Sequence, residues 1–93
     1  MTAKELRIEL QNIISTLTAS GFTEVEAETC EKLVTLSAAA SALGLKEGKH
    51  LIDNLSTVIA AIMEGKSTYE SGKVRLTALD FYVKKALSGD KET

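Results

Sequence analysis

Apolar residues recur along the chain at intervals of three and four positions, the spacing of one face of an α-helix. Four such stripes occur, and each runs toward a glycine that can end a helix in the left-handed conformation. These glycines are Gly21, Gly44, Gly65 and Gly89. The pattern predicts helices over about 3–20, 24–43, 46–64 and 68–88, followed by a disordered tail over about 89–93.

Three helix starts are also predicted, because a hydroxyl residue precedes a glutamate by three positions, the spacing of a capping box. The pairs are Thr2 with Glu5, Thr23 with Glu26 and Ser67 with Glu70. The start of the fourth helix is less sharply defined, because Gly72 lies just inside it and Ser71 is an alternative first residue.

The connections between these helices span only a few residues, so consecutive helices are expected to pack antiparallel. The chain has 93 residues and no proline, and alternating strand patterns are hard to find. We therefore predict an all-α fold, an antiparallel four-helix bundle with short loops, in which residues 1–93 form a single domain.

The amino-acid composition and charge of the chain make some classes of function less probable than others. Hydrophobic residues make up 44% of the chain and charged residues 26%, as in ordinary globular proteins. The net charge of -2 disfavours nucleic acid as a partner, and no apolar run approaches a membrane span. With one cysteine, Cys30, the chain fits a reducing compartment, and a cytoplasmic location is expected.

Residues 60–67 read AAIMEGKS and satisfy a relaxed phosphate-binding-loop pattern. That loop follows a buried strand, whereas these residues finish a helical stripe and contain bulky Ile62 and Met63 where the loop turns. Gly65 is therefore interpreted as a helix stop and Ser67 as a helix start. The sequence offers no convincing catalytic constellation, and we predict no enzyme activity, cofactor, metal site or small-molecule substrate.

A run of apolar residues from Val58 to Met63 and a cluster of alanines in the second helix indicate burial on more than one face. The consecutive aromatic residues near the C-terminus point about 100° apart on a helix, so both are not expected to enter the core. The favoured interpretation is a protein-interaction or oligomerisation module that binds protein, including other copies of itself in a homodimer or higher oligomer. The candidate interface residues are Ala39, Leu43, Val58, Ile59, Ile62, Met63, Phe81 and Tyr82.

Two alternatives are kept open. Residues 36–55 resemble a degenerate helix-turn-helix, which implies an accessory DNA-binding protein with contacts from Lys46, Lys49, His50 and Asn54. The required apolar positions of the second helix are offset by one residue. A third interpretation follows from a bundle with one histidine, which resembles histidine phosphotransfer domains and implies a phosphoryl acceptor at His50. Those domains typically carry Lys and Gly three and four residues after the histidine, where this chain has Asp53 and Asn54.

Overall fold

The computed structural model describes residues 2–22 and 27–87. These residues form four α-helices: α1 (Ala3–Ser20), α2 (Ala27–Ala42), α3 (Lys46–Met63) and α4 (Tyr69–Tyr82). A π-helical segment, Val83–Leu87, continues α4. The predicted all-α four-helix bundle is confirmed. None of the described helices combines the length and the apolarity that crossing a bilayer requires.

The start of α1 has the predicted capping box. The backbone N–H of Glu5 donates to Thr2 Oγ1 over 3.1 Å, and the backbone N–H of Thr2 donates to Glu5 Oε1 over 2.8 Å. These hydrogen bonds lower the pKa of the Glu5 carboxyl. The box predicted at Thr23 and Glu26 lies outside the described residues, as do Gly89 and the predicted tail.

The glycine stops after α1, α2 and α3 are confirmed, because Gly21, Gly44 and Gly65 all adopt positive φ. After α3, the N–H of Lys66 donates to Ala61 O over 2.7 Å, and the N–H of Gly65 donates to Ile62 O. This pair of bonds is a Schellman motif, which satisfies carbonyls that the end of a helix leaves unpaired. Gly65 therefore acts in helix termination.

The start of α4 differs from the predicted capping box. Thr68, rather than Ser67, is the N-cap residue, and its Oγ1 accepts a hydrogen bond from the N–H of Ser71 over 3.2 Å. With Thr68 as cap, the third helical position is Ser71 and not Glu70, so no reciprocal carboxylate bond forms there. The prediction of Ser67 as the cap is wrong. The predicted α-helix over 68–88 also ends earlier, at Tyr82, where the π-helical segment begins.

The core lies between the four helices and is formed by the predicted stripes. Its buried side chains are Leu6, Leu10, Ile13, Ile14, Leu17, Phe22, Leu33, Leu36, Ala40, Ile52, Leu55, Ile59, Leu76, Leu79 and Val83. The most extensive helix contacts join α2 to α3 and α3 to α4, while α1 packs on α2, α4 and the π-helical segment. Consecutive helices are thus neighbours around the bundle.

Two glycines inside helices are buried because aromatic rings lie on them. Phe22, which follows α1 in a left-handed conformation with φ of 70°, enters the core beside Gly72 of α4. A Cβ at Gly72 would lie 3.0 Å from the Phe22 ring and 3.0 Å from Ile62 Cδ1. Gly48 of α3 has the same relationship with Tyr82. Phe22, which follows α1, therefore packs on α4, and Tyr82 of α4 packs on α3.

Candidate functional site

A groove between α3 and α4 has a volume of about 700 Å³. We call it the α3–α4 groove. Its walls are mostly apolar, with one acidic and one basic residue at the rim. The lining residues are Glu47, Leu51, Val74, Thr77, Ala78, Phe81, Tyr82, Lys85 and Ala86.

Tyr82 forms one end of the groove by lying on Gly48. A Cβ at Gly48 would lie 2.9 Å from the phenol oxygen and 3.0 Å from ring Cε2. Burial raises the pKa of the Tyr82 phenol, and the nearby Glu47 carboxylate raises it further, while a hydrogen bond from the Gly48 backbone acts in the opposite direction. The absence of a side chain at Gly48 therefore allows the ring to pack directly on α3.

The outer wall of the groove is the solvent-facing side of α4. Val74 and Phe81 are 64% and 63% exposed, although both side chains are large and apolar. Ala78 lies between them at the spacing of successive helical turns. The Lys85 ammonium group lies 5.5 Å from the centre of the Phe81 ring, within the range of a cation–π contact. This side of α4 is thus apolar and uncovered, with a positive charge at its C-terminal end.

The groove continues along the same two helices toward the start of α4. A smaller depression there shares Val74 with the main groove and is also lined by Val58, Ser67, Ser71 and Arg75. Apolar surface from Val58 of α3 and Val74 of α4 therefore extends the groove toward the α3–α4 loop.

The eight predicted interface residues do not form one surface. Val58, Phe81 and Tyr82 lie along the α3–α4 groove and its continuation. Ile59 is fully buried, so its side chain belongs to the core. The other four lie elsewhere: Ala39 and Ile62 are partly buried against the core, while Leu43 and Met63 are exposed near opposite ends of α3. The two consecutive aromatics diverge as expected, with Tyr82 half-buried and Phe81 exposed.

Val74 and Ala78 were not predicted to be interface residues. Both lie off the core stripe of α4, which consists of Gly72, Leu76, Leu79 and Val83. The sequence does contain a second apolar stripe in α4, because Val74, Ala78 and Phe81 follow one another at intervals of four and three residues. The helix therefore carries apolar side chains on two opposite faces, one packed on the core and the other exposed.

The residues predicted to contact DNA have different environments. Lys46 and His50 are exposed on α3 and Asn54 is partly buried, whereas Lys49 donates to Asp53 Oδ2 over 2.7 Å. Ser37 of α2 donates to the other oxygen of Asp53 over 2.5 Å. Both partners of this bond lie more than a turn from the α2–α3 connection, so α2 and α3 are in contact beyond their junction.

Asp53 also bears on the phosphotransfer interpretation. The carboxylate lies three residues after His50 and accepts hydrogen bonds from Lys49 and Ser37, which lower the pKa of its carboxyl group. It therefore carries a negative charge near the face on which a phosphoryl group on His50 would be placed. This environment is unfavourable for a phosphohistidine.

Other reactive groups do not form a cluster in the described part of the chain. Within residues 2–22 and 27–87, no three His, Cys, Asp or Glu side chains are placed to hold a metal ion. Cys30 is a free, partly buried thiol, and burial raises its pKa. A raised pKa reduces the fraction of reactive thiolate near neutral pH.

Comparison of the chain with protein-family models, curated proteins and solved structures finds no match.

Proposed function

We propose that the protein is a small, non-catalytic helical module that binds a protein partner, and that the α3–α4 groove receives an amphipathic helix of that partner. The observation that carries this proposal is the exposure of Val74 and Phe81, 64% and 63%, on the wall of an apolar groove. Large apolar side chains that are grouped and uncovered are typical of interaction sites. Aromatic anchors contribute disproportionately to binding at such sites.

The shape of the groove favours a helix as its occupant. Two neighbouring helices form its walls, and its apolar residues continue along their length from Phe81 toward Val58. A helix laid in such a groove contributes anchors at intervals of three and four residues. The charged residues Glu47 and Lys85 lie at the rim, where they can select the orientation of a partner without being buried.

A binding role also agrees with the character of the groove. Its lining contains no histidine, cysteine or paired carboxylates, and burial raises the pKa of the Tyr82 phenol. The phenol is neutral near pH 7, as that of an ordinary tyrosine is. The DNA-binding alternative stays a prediction, with Lys46 and His50 as its exposed residues. That alternative predicts a mobility shift with DNA that weakens steeply with salt.

The proposal is tested with a designed amphipathic peptide of about five helical turns. The peptide carries leucine at positions i, i+4, i+7 and i+11, with alanine and equal numbers of lysine and glutamate elsewhere. It is titrated into the isotope-labelled full chain, and amide and methyl chemical shifts are followed. We expect saturable shifts at Leu51, Val74, Ala78 and Phe81. Shifts confined to other surfaces, or no shifts at the solubility limit, would overturn the proposal.

A further inference from the structure

On the outer face of α4, apolar and small residues are placed symmetrically about a midpoint, and the two ends carry opposite charges. Six exposed residues on this face form what we call the stripe, which consists, in order, of Glu70, Val74, Thr77, Ala78, Phe81 and Lys85. The order is thus acid, apolar, small, small, apolar, base. Val74 and Phe81 lie at equal distances from the midpoint between Thr77 and Ala78. Glu70 and Lys85 are also equidistant from that midpoint, on opposite sides.

From this symmetry we infer that the helix received by the α3–α4 groove is α4 of a second copy of the chain, packed antiparallel about a two-fold axis between Thr77 and Ala78. This inference rests on the proposed function and names its partner. A two-fold interface is self-complementary, since each residue of a pair meets the other from the second copy. Here Val74 of each copy meets Phe81 of the other.

Charge complementarity supports a second copy over an unrelated helix. In the antiparallel arrangement, Glu70 of each copy lies opposite Lys85 of the other, so both ends of the helix pair carry opposite charges. A parallel arrangement would place like charges together at both ends, which is unfavourable. The charges on the stripe therefore select the antiparallel orientation and penalise the reverse one.

The side chains of the stripe are available for this contact. All six are exposed, and small Thr77 and Ala78 occupy the crossing point, where they permit close approach of the two helix backbones. The Lys85 ammonium group leans over Phe81, which places it on the apolar stripe despite the π-helical geometry of residues 83–87. By contrast, neighbouring Lys84 pairs with Asp80 over 3.1 Å.

The stripe spans about 22 Å of helix, so we expect a small interface and a dissociation constant of about 0.1–1 mM. Sedimentation equilibrium of the full chain over about 10 µM to 1 mM measures it. Because Glu70 and Lys85 also complement the helix dipole, charge reversal is tested against a matched control. K84E makes the same charge change at the same end of the helix but off the stripe.

We expect E70K and K85E each to weaken dimerisation about tenfold at low salt, K84E to leave it within about threefold, and the double variant E70K/K85E to restore it. Thermal unfolding of every variant accounts for dipole effects, which K84E and K85E share. A wild-type chain that stays monomeric throughout, or a double variant weaker than both single variants, would overturn the inference. If the chain is monomeric but still binds the designed peptide in its groove, the proposed function survives and only the second copy is excluded.

Discussion

The ring of Phe22 lies so close to Gly72 that a Cβ on the glycine would be 3.0 Å from two ring carbons. Phe22 is buried, so its ring cannot move out into solvent. We predict that Gly72→Ala lowers the free energy of unfolding by about 1–2 kcal/mol, because overpacking exceeds the gain in helix propensity. Urea unfolding followed by circular dichroism measures the change. A variant more stable than the wild type would contradict this packing.

Gly48→Ala is expected to behave differently, because the atom it meets is the tip of a half-buried side chain. The Tyr82 ring can move outward, so we predict a stability change within about 1 kcal/mol. The displaced ring becomes more exposed, and the pKa of its phenol falls toward the ordinary value of 10.0. Ultraviolet titration measures this shift, with Tyr82→Phe used to identify the signal of Tyr69. An unchanged phenol pKa in Gly48→Ala would show that the ring stays in place.

The raised pKa of Tyr82 also makes stability depend on alkaline pH. The folded state favours the neutral phenol, so this stabilisation is present below the ordinary pKa of 10.0 and is lost as pH rises through the raised value. We predict that Tyr82→Phe removes this component, so that its stability falls less between pH 9 and 11 than that of the wild type. If the stability of the wild type and that of Tyr82→Phe fell in parallel with pH, Tyr82 would not be the source of the alkaline dependence.

Asp53 joins α2 to α3 through Ser37, whose hydroxyl is buried. Asp53→Ala removes the acceptor and is predicted to cost about 1–2 kcal/mol, whereas Asp53→Asn keeps an acceptor oxygen and costs less. Lys49→Ala, which removes only the solvent-exposed ion pair, is predicted to cost about 0.3–0.5 kcal/mol. Denaturant unfolding at neutral pH ranks the three variants. Equal losses for the two Asp53 variants would contradict a specific role for the Ser37 bond.

The lowered pKa of the Asp53 carboxyl group also makes stability depend on acid pH. Its pKa is lowered in the folded state, so its contribution is present above the ordinary value of 3.8 and is lost as pH falls through the lowered value. The difference in stability between wild type and Asp53→Asn should therefore shrink as the solution is acidified. A difference that stays constant down to acid unfolding would be inconsistent with the lowered pKa.

Local sequence signals predicted most of the fold, because helix stripes, the Thr2 cap and the glycine stops act within one or two turns of the chain. The exact cap of α4 was missed, since Ser67 and Thr68 are adjacent hydroxyl residues and the backbone conformation of the turn selects between them. Gly48 and Gly72 were not recognised as ring-packing positions, because their partners Tyr82 and Phe22 are distant in sequence.

The candidate site was harder to predict than the fold. The apolar run from Val58 to Met63 suggested one interface, but helical rotation sends Val58 toward the groove, Ile59 into the core and Met63 into solvent. Whether an apolar residue is exposed depends on which face of its helix the neighbours cover. For Val74 that information comes only from the packing of α4 on the bundle.

The affinity of the designed helical peptide for two matched variants decides whether the α3–α4 groove binds protein. Phe81→Asp changes a groove residue, and Val34→Asp changes a residue of α2 that is equally exposed, 62% against 63%. Both side chains are outside the core, so each variant should keep its stability within about 0.5 kcal/mol. We predict that Phe81→Asp weakens peptide binding at least about tenfold while Val34→Asp leaves it unchanged. Equal affinity of the two variants would show that the peptide does not bind in the α3–α4 groove.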